Sequence, residues 1–136
     1  MRALAGVHLT DWRDQVFAVL KAAEILQVGY VPDAGHARLI ELCRDDPDMR
    51  AVPLTTEEEG VALAAGAWLG GQRAALLMGS KTQAALELCD VLVYRVERPE
   101  EAAETVTAAL DIAYNGDLAT AVLLAQRLIG AKRWVK

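Results

Sequence analysis

Short apolar runs alternate along this chain with longer segments whose apolar residues recur at helical spacing. The apolar runs predict five strands, at 28–32, 51–54, 74–78, 90–96 and 119–124. The periodic segments predict helices from Asp11 to about Gln27, around Leu39, Ile40 and Cys43, from Glu57 to about Leu69, up to about Leu88, and from Pro99 to about Asn115. Strands and helices that alternate with short connections indicate a mainly parallel sheet with helices on both faces. The pattern therefore predicts a three-layer α/β/α fold around a five-stranded sheet.

Composition narrows the class of protein. The 136 residues fit one domain covering 1–136, and 54% hydrophobic residues with only 5% aromatics predict a core of Ala, Val and Leu. A net charge of −5 without a basic run argues against nucleic-acid binding. We expect no membrane span, no signal peptide and a cytoplasmic location, since no apolar run approaches about 20 residues. Cys43 and Cys89 lack metal-ligand spacing, so we expect buried thiols and no metal site.

The candidate chemistry lies where the predicted strands end. Ligands of parallel sheets bind at the carboxyl ends of the strands, which directs attention to the loops after Pro32, Leu54, Met78 and Val96. The first of these loops contains Asp33 and His36.

The second of these loops leads into three consecutive acids, Glu57, Glu58 and Glu59, which follow Thr56. One interpretation is helix capping, with Thr56 as N-cap and Glu59 completing a capping box. The other is a catalytic carboxylate, favoured by the small residues that run from Gly60 to Gly66 and would allow close approach of another group.

Three segments, Val31–Ile40, Thr55–Gly66 and Ala74–Met78, together resemble the alpha subunit of sulfopyruvate decarboxylase and the related phosphonopyruvate decarboxylases. The resemblance implies the pyrimidine-binding (PYR) domain of a thiamine-diphosphate enzyme. Counting back from Gly66, it assigns the catalytic, cofactor-contacting carboxylate to Glu57.

The same resemblance implies cofactor contacts from Thr56 and Gly79 and substrate contacts from Asp33 and His36. In that family the carboxylate favours the imino form of the aminopyrimidine, which deprotonates the thiazolium and creates the nucleophile that attacks a 2-oxo acid.

The chain lacks the Gly-Asp-Gly signature by which the family holds Mg²⁺ and the diphosphate. The resemblance therefore implies a diphosphate-binding beta subunit as partner, and thiamine diphosphate with Mg²⁺ only in that complex. No cofactor is expected on the isolated chain. Exposed small residues on the Glu57–Leu69 helix would also favour a homo-oligomer.

The resemblance is interrupted after Met78. Residues 79–83 lead directly into 84–94, which again look like the C-terminal part of the family, so a strand, a helix and an active-site loop are predicted to be missing by natural or engineered deletion. The resulting hypothesis is the PYR subunit of a 2-oxo-acid decarboxylase, a carbon–carbon lyase, catalytically incomplete alone. The alternatives are an engineered or trimmed non-catalytic α/β scaffold, and a flavodoxin-like module that binds a small anion. Residues 79–82 lack the glycine spacing of a phosphate-binding loop, so they indicate a tight strand-to-helix connection, although the start of the following helix could hold an anion.

Overall fold

A computed structural model describes residues 10–79 and 83–129. The helices are α1 (Trp12–Ala22), α2 (Ala37–Asp45), α3 (Glu57–Leu69), α4 (Gln83–Leu88), α5 (Ala102–Asn115) and α6 (Gln126–Ile129). The strands are β1 (Ile25–Tyr30), β2 (Arg50–Pro53), β3 (Arg73–Leu77), β4 (Leu92–Val96) and β5 (Thr120–Leu124). The order of elements and the parallel pairing of the strands confirm the α/β prediction.

The boundary between α1 and β1 differs from the prediction. The helix was expected to reach Gln27, but it ends at Ala22 and the strand begins at Ile25. Glu24 has a φ of 57°, a left-handed conformation that a right-handed helix cannot contain. Leu26, which extended the helical pattern, belongs to the strand, whose neighbouring residue Ile25 is fully buried. The helical spacing of apolar residues therefore continues past the turn at Glu24, which contains no glycine or proline to indicate it.

The five strands form two parallel ladders. The first has the order β2-β1-β3, and the second pairs β4 with β5. Within the described residues no strand pairing joins the two ladders, so the five strands do not make one continuous sheet there. Both ladders nevertheless contribute to one hydrophobic cluster, which contains Val28 of β1, Leu77 of β3 and Val96 of β4.

Helices cover the first ladder on opposite faces. Neighbouring residues of a strand point to opposite sides, and Val28 and Gly29 of β1 show this division. Val28 is in the buried cluster with residues of α1 and α2, whereas a Cβ on Gly29 would lie 3.1 Å from Leu63 of α3. The helices α1 and α2 therefore lie on one face and α3 on the other, which gives the three layers.

The packing of α3 depends on two glycines. A Cβ on Gly29 would lie 2.9 Å from Cδ2 of Leu76, and a Cβ on Gly60 would lie 2.9 Å from Cδ1 of Leu54. Both distances are shorter than ordinary carbon contacts, so the absence of side chains lets α3 approach β1 closely.

The two cysteines differ in their surroundings. Cys43 is fully buried in α2, and burial raises the pKa of its thiol to about 12. Cys89 is exposed, so its predicted core position was wrong. Within the described ranges no helix combines the length and apolar character that crossing a bilayer requires.

Candidate functional site

The carboxyl ends of all three strands of the first ladder lie at one edge of the sheet. Tyr30 of β1 pairs with Pro53 of β2 and with Leu77 of β3. The chain leaves β1 for β2 on one side and later returns to β3 on the other, so the loops after β1 and β3 flank a change in strand order. Parallel sheets bind their ligands at such a point. The described residues that the sequence analysis assigned to the site follow these strand ends.

The second ladder reaches the same edge. A Cβ on Gly35, in the loop after β1, would lie 2.9 Å from Cδ1 of Ile129 in α6. Since α6 begins immediately after β5, the carboxyl end of β5 lies beside the loop that carries Asp33 and His36.

Two of the three glutamates stabilise the start of α3. The carboxylate of Glu59 accepts a 2.7 Å hydrogen bond from the backbone N–H of Thr55. The pKa of Glu58 is lowered by a bond from its own backbone N–H and by one from the Thr56 hydroxyl. Thr56 is the N-cap residue but makes no side-chain cap bond to the helix. The expected capping box is therefore replaced by capping through Glu58 and Glu59.

Glu57 has different surroundings. It is half-buried, whereas Glu58 and Glu59 are exposed. Its Oε1 lies 3.8 Å from the position that a Cβ on Gly79 would occupy, directly after β3. Within residues 10–79 and 83–129 its carboxylate has no hydrogen bond and no ion pair. Of the three acids, Glu57 is thus the one whose carboxylate faces the end of β3.

Asp33 and His36 form a compact turn at the end of β1. Oδ1 of Asp33 accepts the N–H of Gly35 at 2.8 Å, and its backbone oxygen accepts the N–H of His36 at 3.1 Å. The imidazole then extends to the residue that follows β3, where Nε2 lies 3.1 Å from the backbone oxygen of Met78. A carbonyl oxygen only accepts hydrogen bonds, so Nε2 carries the proton.

The imidazole leaves one polar atom unexplained. Nδ1 of His36 is buried and has no hydrogen-bond partner among the described residues. Buried polar atoms without partners are uncommon in folded proteins and often mark functional positions.

His36 follows β1 and Glu57 begins α3, and both side chains approach the same short segment, Met78–Gly79.

The predicted site residues are brought together to different degrees. Glu57 and Gly79 face each other, and His36 bonds to the residue before Gly79. Asp33 is held by its own turn, and Thr56 is exposed. The proposed anion loop extends over residues 80–82, which lie outside the described residues.

Sequence reasoning did not identify Met78 as a contact of His36, nor Tyr114 as a contact of β3. Both contacts join residues that are about forty positions apart, and no local motif marks them. Within the described residues no three His, Cys, Asp or Glu side chains converge as a metal-binding group.

Comparison with known proteins supports one family over part of the chain. The chain is 44% identical to sulfopyruvate decarboxylase subunit alpha of Methanococcus maripaludis over 48 residues, which is 35% of this chain and 29% of that protein. The same subunit of Methanothermobacter thermautotrophicus is 38% identical over 68 residues, or 50% of this chain and 41% of the relative. The subunit of Methanocaldococcus jannaschii is 35% identical over 63 residues, 46% and 37% of the two chains.

These similarities are partial. The chain matches less than half the length of each of these curated relatives. No protein-family profile matches it.

Proposed function

We propose that this chain is the PYR subunit of a thiamine-diphosphate-dependent 2-oxo-acid decarboxylase, of the sulfopyruvate or phosphonopyruvate type. The observation that carries the proposal is the half-buried carboxylate of Glu57, which has no partner in the described residues and faces Gly79 at the end of β3. The partial similarity to sulfopyruvate decarboxylase alpha subunits supports it independently.

The residues fit the pyrimidine end of the cofactor. A carboxylate without a partner can accept a hydrogen bond from a ring nitrogen, and Gly79 leaves room beside it that any side chain would reduce. When bound, thiamine diphosphate supplies a carbanion equivalent that adds to a 2-oxo acid and stabilises the negative charge left by decarboxylation. Glu57 would hold the proton on the pyrimidine nitrogen, and this interaction would activate the cofactor. His36 would fix the Met78–Gly79 peptide through its hydrogen bond to the oxygen of Met78.

The residues do not fit the diphosphate end. Holding Mg²⁺ requires several oxygen ligands, and the described residues contain no converging group of acids. We therefore propose that a diphosphate-binding beta subunit completes the site. The relatives are named as alpha subunits, which is consistent with such a partner.

The outer face of α3 is the proposed contact surface for that partner or for a second copy of the chain. Val61, Trp68 and Leu69 are 62%, 67% and 78% exposed, although all three are apolar. Exposed apolar residues grouped on one helix are typical of protein interfaces. The helix starts with Glu57, so a chain covering this face would also lie close to the proposed cofactor position.

The proposal is tested by calorimetric titration of thiamine diphosphate and Mg²⁺ into the chain, with and without the beta subunit of the Methanococcus maripaludis enzyme. We expect heat of binding and release of CO₂ from sulfopyruvate only in the mixture. Glu57→Gln should lower the rate by about 100-fold or more, the scale of a lost proton-transfer group. Glu59→Gln, which changes an exposed capping acid in the same turn, is the matched control and should retain activity.

The second candidate is a trimmed scaffold without catalysis. The separation of the strands into two ladders favours it, because within the described residues no continuous sheet joins β3 to the β4–β5 pair at the site edge. No heat and no CO₂ from the unmodified chain in any mixture would leave this candidate standing. Equal activity of Glu57→Gln and the unmodified chain would instead contradict the role given to Glu57.

A further inference from the structure

The side chain of His36 connects two segments that follow neighbouring strands. The ladder between β1 and β3 reaches Leu77, whose oxygen accepts the N–H of Val31 at 3.1 Å. The next carbonyl along the chain, that of Met78, lies 3.1 Å from Nε2 of His36. His36 also directly precedes α2, but its side chain makes no capping bond to that helix. The imidazole therefore extends the connection between the two strands to the peptide that joins Met78 to Gly79.

This bond requires one protonation state of the ring. Nε2 donates its hydrogen to a carbonyl oxygen, so Nδ1 of the neutral imidazole has a lone pair and no hydrogen. Nδ1 is buried and has no hydrogen-bond partner among the described residues, although His36 as a whole is only half-buried. An imidazolium would place a second N–H and a positive charge there, and a buried donor without an acceptor is unfavourable. The arrangement in which His36 bonds to Met78, here called the held form, therefore selects the neutral ring.

Two carboxylates lie near the ring. On the same turn, Oδ1 of Asp33 accepts the N–H of Gly35 at 2.8 Å, and from α3 the carboxylate of Glu57 faces Gly79. Their negative charges favour an imidazolium, but neither of them bonds to Nδ1. Both residues are partly exposed, so solvent screens their charges, whereas Nδ1 is shielded from solvent. Burial of Nδ1 therefore outweighs the attraction of the two acids.

The cations on the adjoining helices are paired with acids. Arg38 lies in α2, two residues after His36, and its Nε bonds to the carboxylate of Asp14 at 3.0 Å. Arg127 lies in α6, the helix beside the loop after β1, and its guanidinium pairs with Glu97. Arginine keeps its charge throughout the pH range in which histidine titrates. Neither residue therefore produces a change in mildly acidic solution, which leaves the imidazole as the titrating group.

We propose that His36 is a pH-dependent switch: its neutral ring holds the Met78–Gly79 peptide beside Glu57, and protonation at Nδ1 in mildly acidic solution releases that peptide. The ordinary pKa of a histidine side chain in water is about 6.5. The released form, with the ring exposed, binds a proton that the held form does not, so a falling pH favours release. The ratio of released to held forms should rise about 30-fold between pH 7.5 and pH 5. The control of catalysis by this switch rests on the proposed function, whereas the release of the peptide does not.

NMR on the whole chain tests the switch directly. The carbonyl carbon of Met78 reports its bond to His36, and the ring nitrogens report where the hydrogen lies. At pH 7.5 we expect the hydrogen on Nε2. Saturation-transfer measurements at the Met78 carbonyl give the populations of the two forms, and their ratio should show the 30-fold rise as the pH falls to 5.

Three variants separate the switch from other effects of pH. His36→Gln keeps an N–H donor for the Met78 oxygen but cannot titrate, so the ratio should stay within about twofold over the same range. His8→Gln changes the other histidine of the chain, which lies outside the described residues, and as the control it should keep the rise. Glu57→Gln removes the neighbouring carboxylate and should keep the rise as well.

Several results would overturn the proposal. They are a hydrogen on Nδ1 at pH 7.5, a ratio that does not rise in acid, and an equal rise in His36→Gln. Loss of the rise in Glu57→Gln would also overturn it, because that carboxylate would then be the titrating group.

A second measurement tests the control of catalysis. In the mixture with the beta subunit, CO₂ release relative to pH 7.5 should fall more steeply in acid for the unmodified chain than for His36→Gln. Equal slopes would show that the switch does not control catalysis. Absence of CO₂ release at every pH would contradict the proposed function alone, since the NMR populations decide the switch.

Discussion

The two faces of the three-stranded ladder are covered to very different extents. On the α1 and α2 side, the helices bury a dense set of large side chains, which are Trp12, Val16, Phe17, Leu20, Leu39, Ile40, Leu42 and Cys43. On the α3 side, Gly60 is the only buried residue of the helix. We call these the closed face and the open face. The sheet therefore has a well-packed core on the closed face, whereas apolar residues of α3 on the open face are exposed to solvent.

Electrostatics follows the same division. On the closed face, Asp14 is fully buried and accepts two 3.0 Å hydrogen bonds from Nε and Nη2 of Arg38, and this carboxylate raises the pKa of the guanidinium. On the open face, the acids at the start of α3 are exposed except for Glu57. A closed face that pairs its charges serves stability, whereas an open face whose half-buried Glu57 has no partner among the described residues is suited to binding.

The largest expected effect compares one aromatic residue on each face. Phe17→Ala on the closed face should lower the free energy of unfolding by about 3–5 kcal/mol, because it removes a fully packed side chain. Trp68→Ala on the open face should change it by no more than about 0.5 kcal/mol, since the side chain is 67% exposed. Chemical denaturation at low protein concentration measures both.

The variants Phe17→Ala and Trp68→Ala also distinguish a residue that stabilises the fold from one that mediates association between chains. If the open face mediates self-association, light scattering should show concentration-dependent assembly of the unmodified chain and weaker assembly of Trp68→Ala. If the two variants lost equal stability at low protein concentration, the distinction between the faces would be wrong.

A smaller effect compares two glycines of α3. Gly66→Ala should raise stability by about 0.5–1 kcal/mol, since nothing lies within 4 Å of the added methyl group and alanine favours helix. Gly60→Ala places its methyl group 2.9 Å from Leu54 and 3.1 Å from Leu76, so overpacking should cost about 1–3 kcal/mol before the same helix preference is added. Thermal unfolding of the two variants measures the difference. A stabilising Gly60→Ala would show that α3 is not held closely on β1.

The smallest effect is the pH dependence contributed by Glu58. Its pKa in the folded chain is below its usual value of 4.5, so it stabilises the fold above that value and loses this contribution as the pH falls through the folded pKa. Glu58→Gln should therefore lower the thermal midpoint slightly at pH 7 and converge with the unmodified chain in acid. Because Glu58 is exposed, the shift should also shrink in high salt. A constant offset at every pH would exclude the charge as its cause.

Much of the fold could be predicted because the signals were local. The helix from Glu57 to Leu69 was placed correctly, since acids at its start and Gly70–Gly71 at its end mark both boundaries. The end of α1 was not, because Glu24 adopts its left-handed turn without a residue type that indicates one. The position of Glu57 beside Gly79 followed from the rule for strand ends, whereas the roles proposed for both residues stay predictions.

By itself the sequence determined the order of strands and helices, the start of α3 and the residues at the strand ends, because periodicity, capping and turn chemistry act over a few residues. Only the tertiary structure decided that the strands form two ladders, that Tyr114 bonds to the edge of β3 and that His36 reaches Met78. These features depend on which distant segments lie side by side, and the free energy of such contacts is not encoded in any short stretch of chain. The exposure of Val61, Trp68 and Leu69 on α3 is also a tertiary feature. The packing of the other helices, and not the composition of α3, determines whether these side chains are covered.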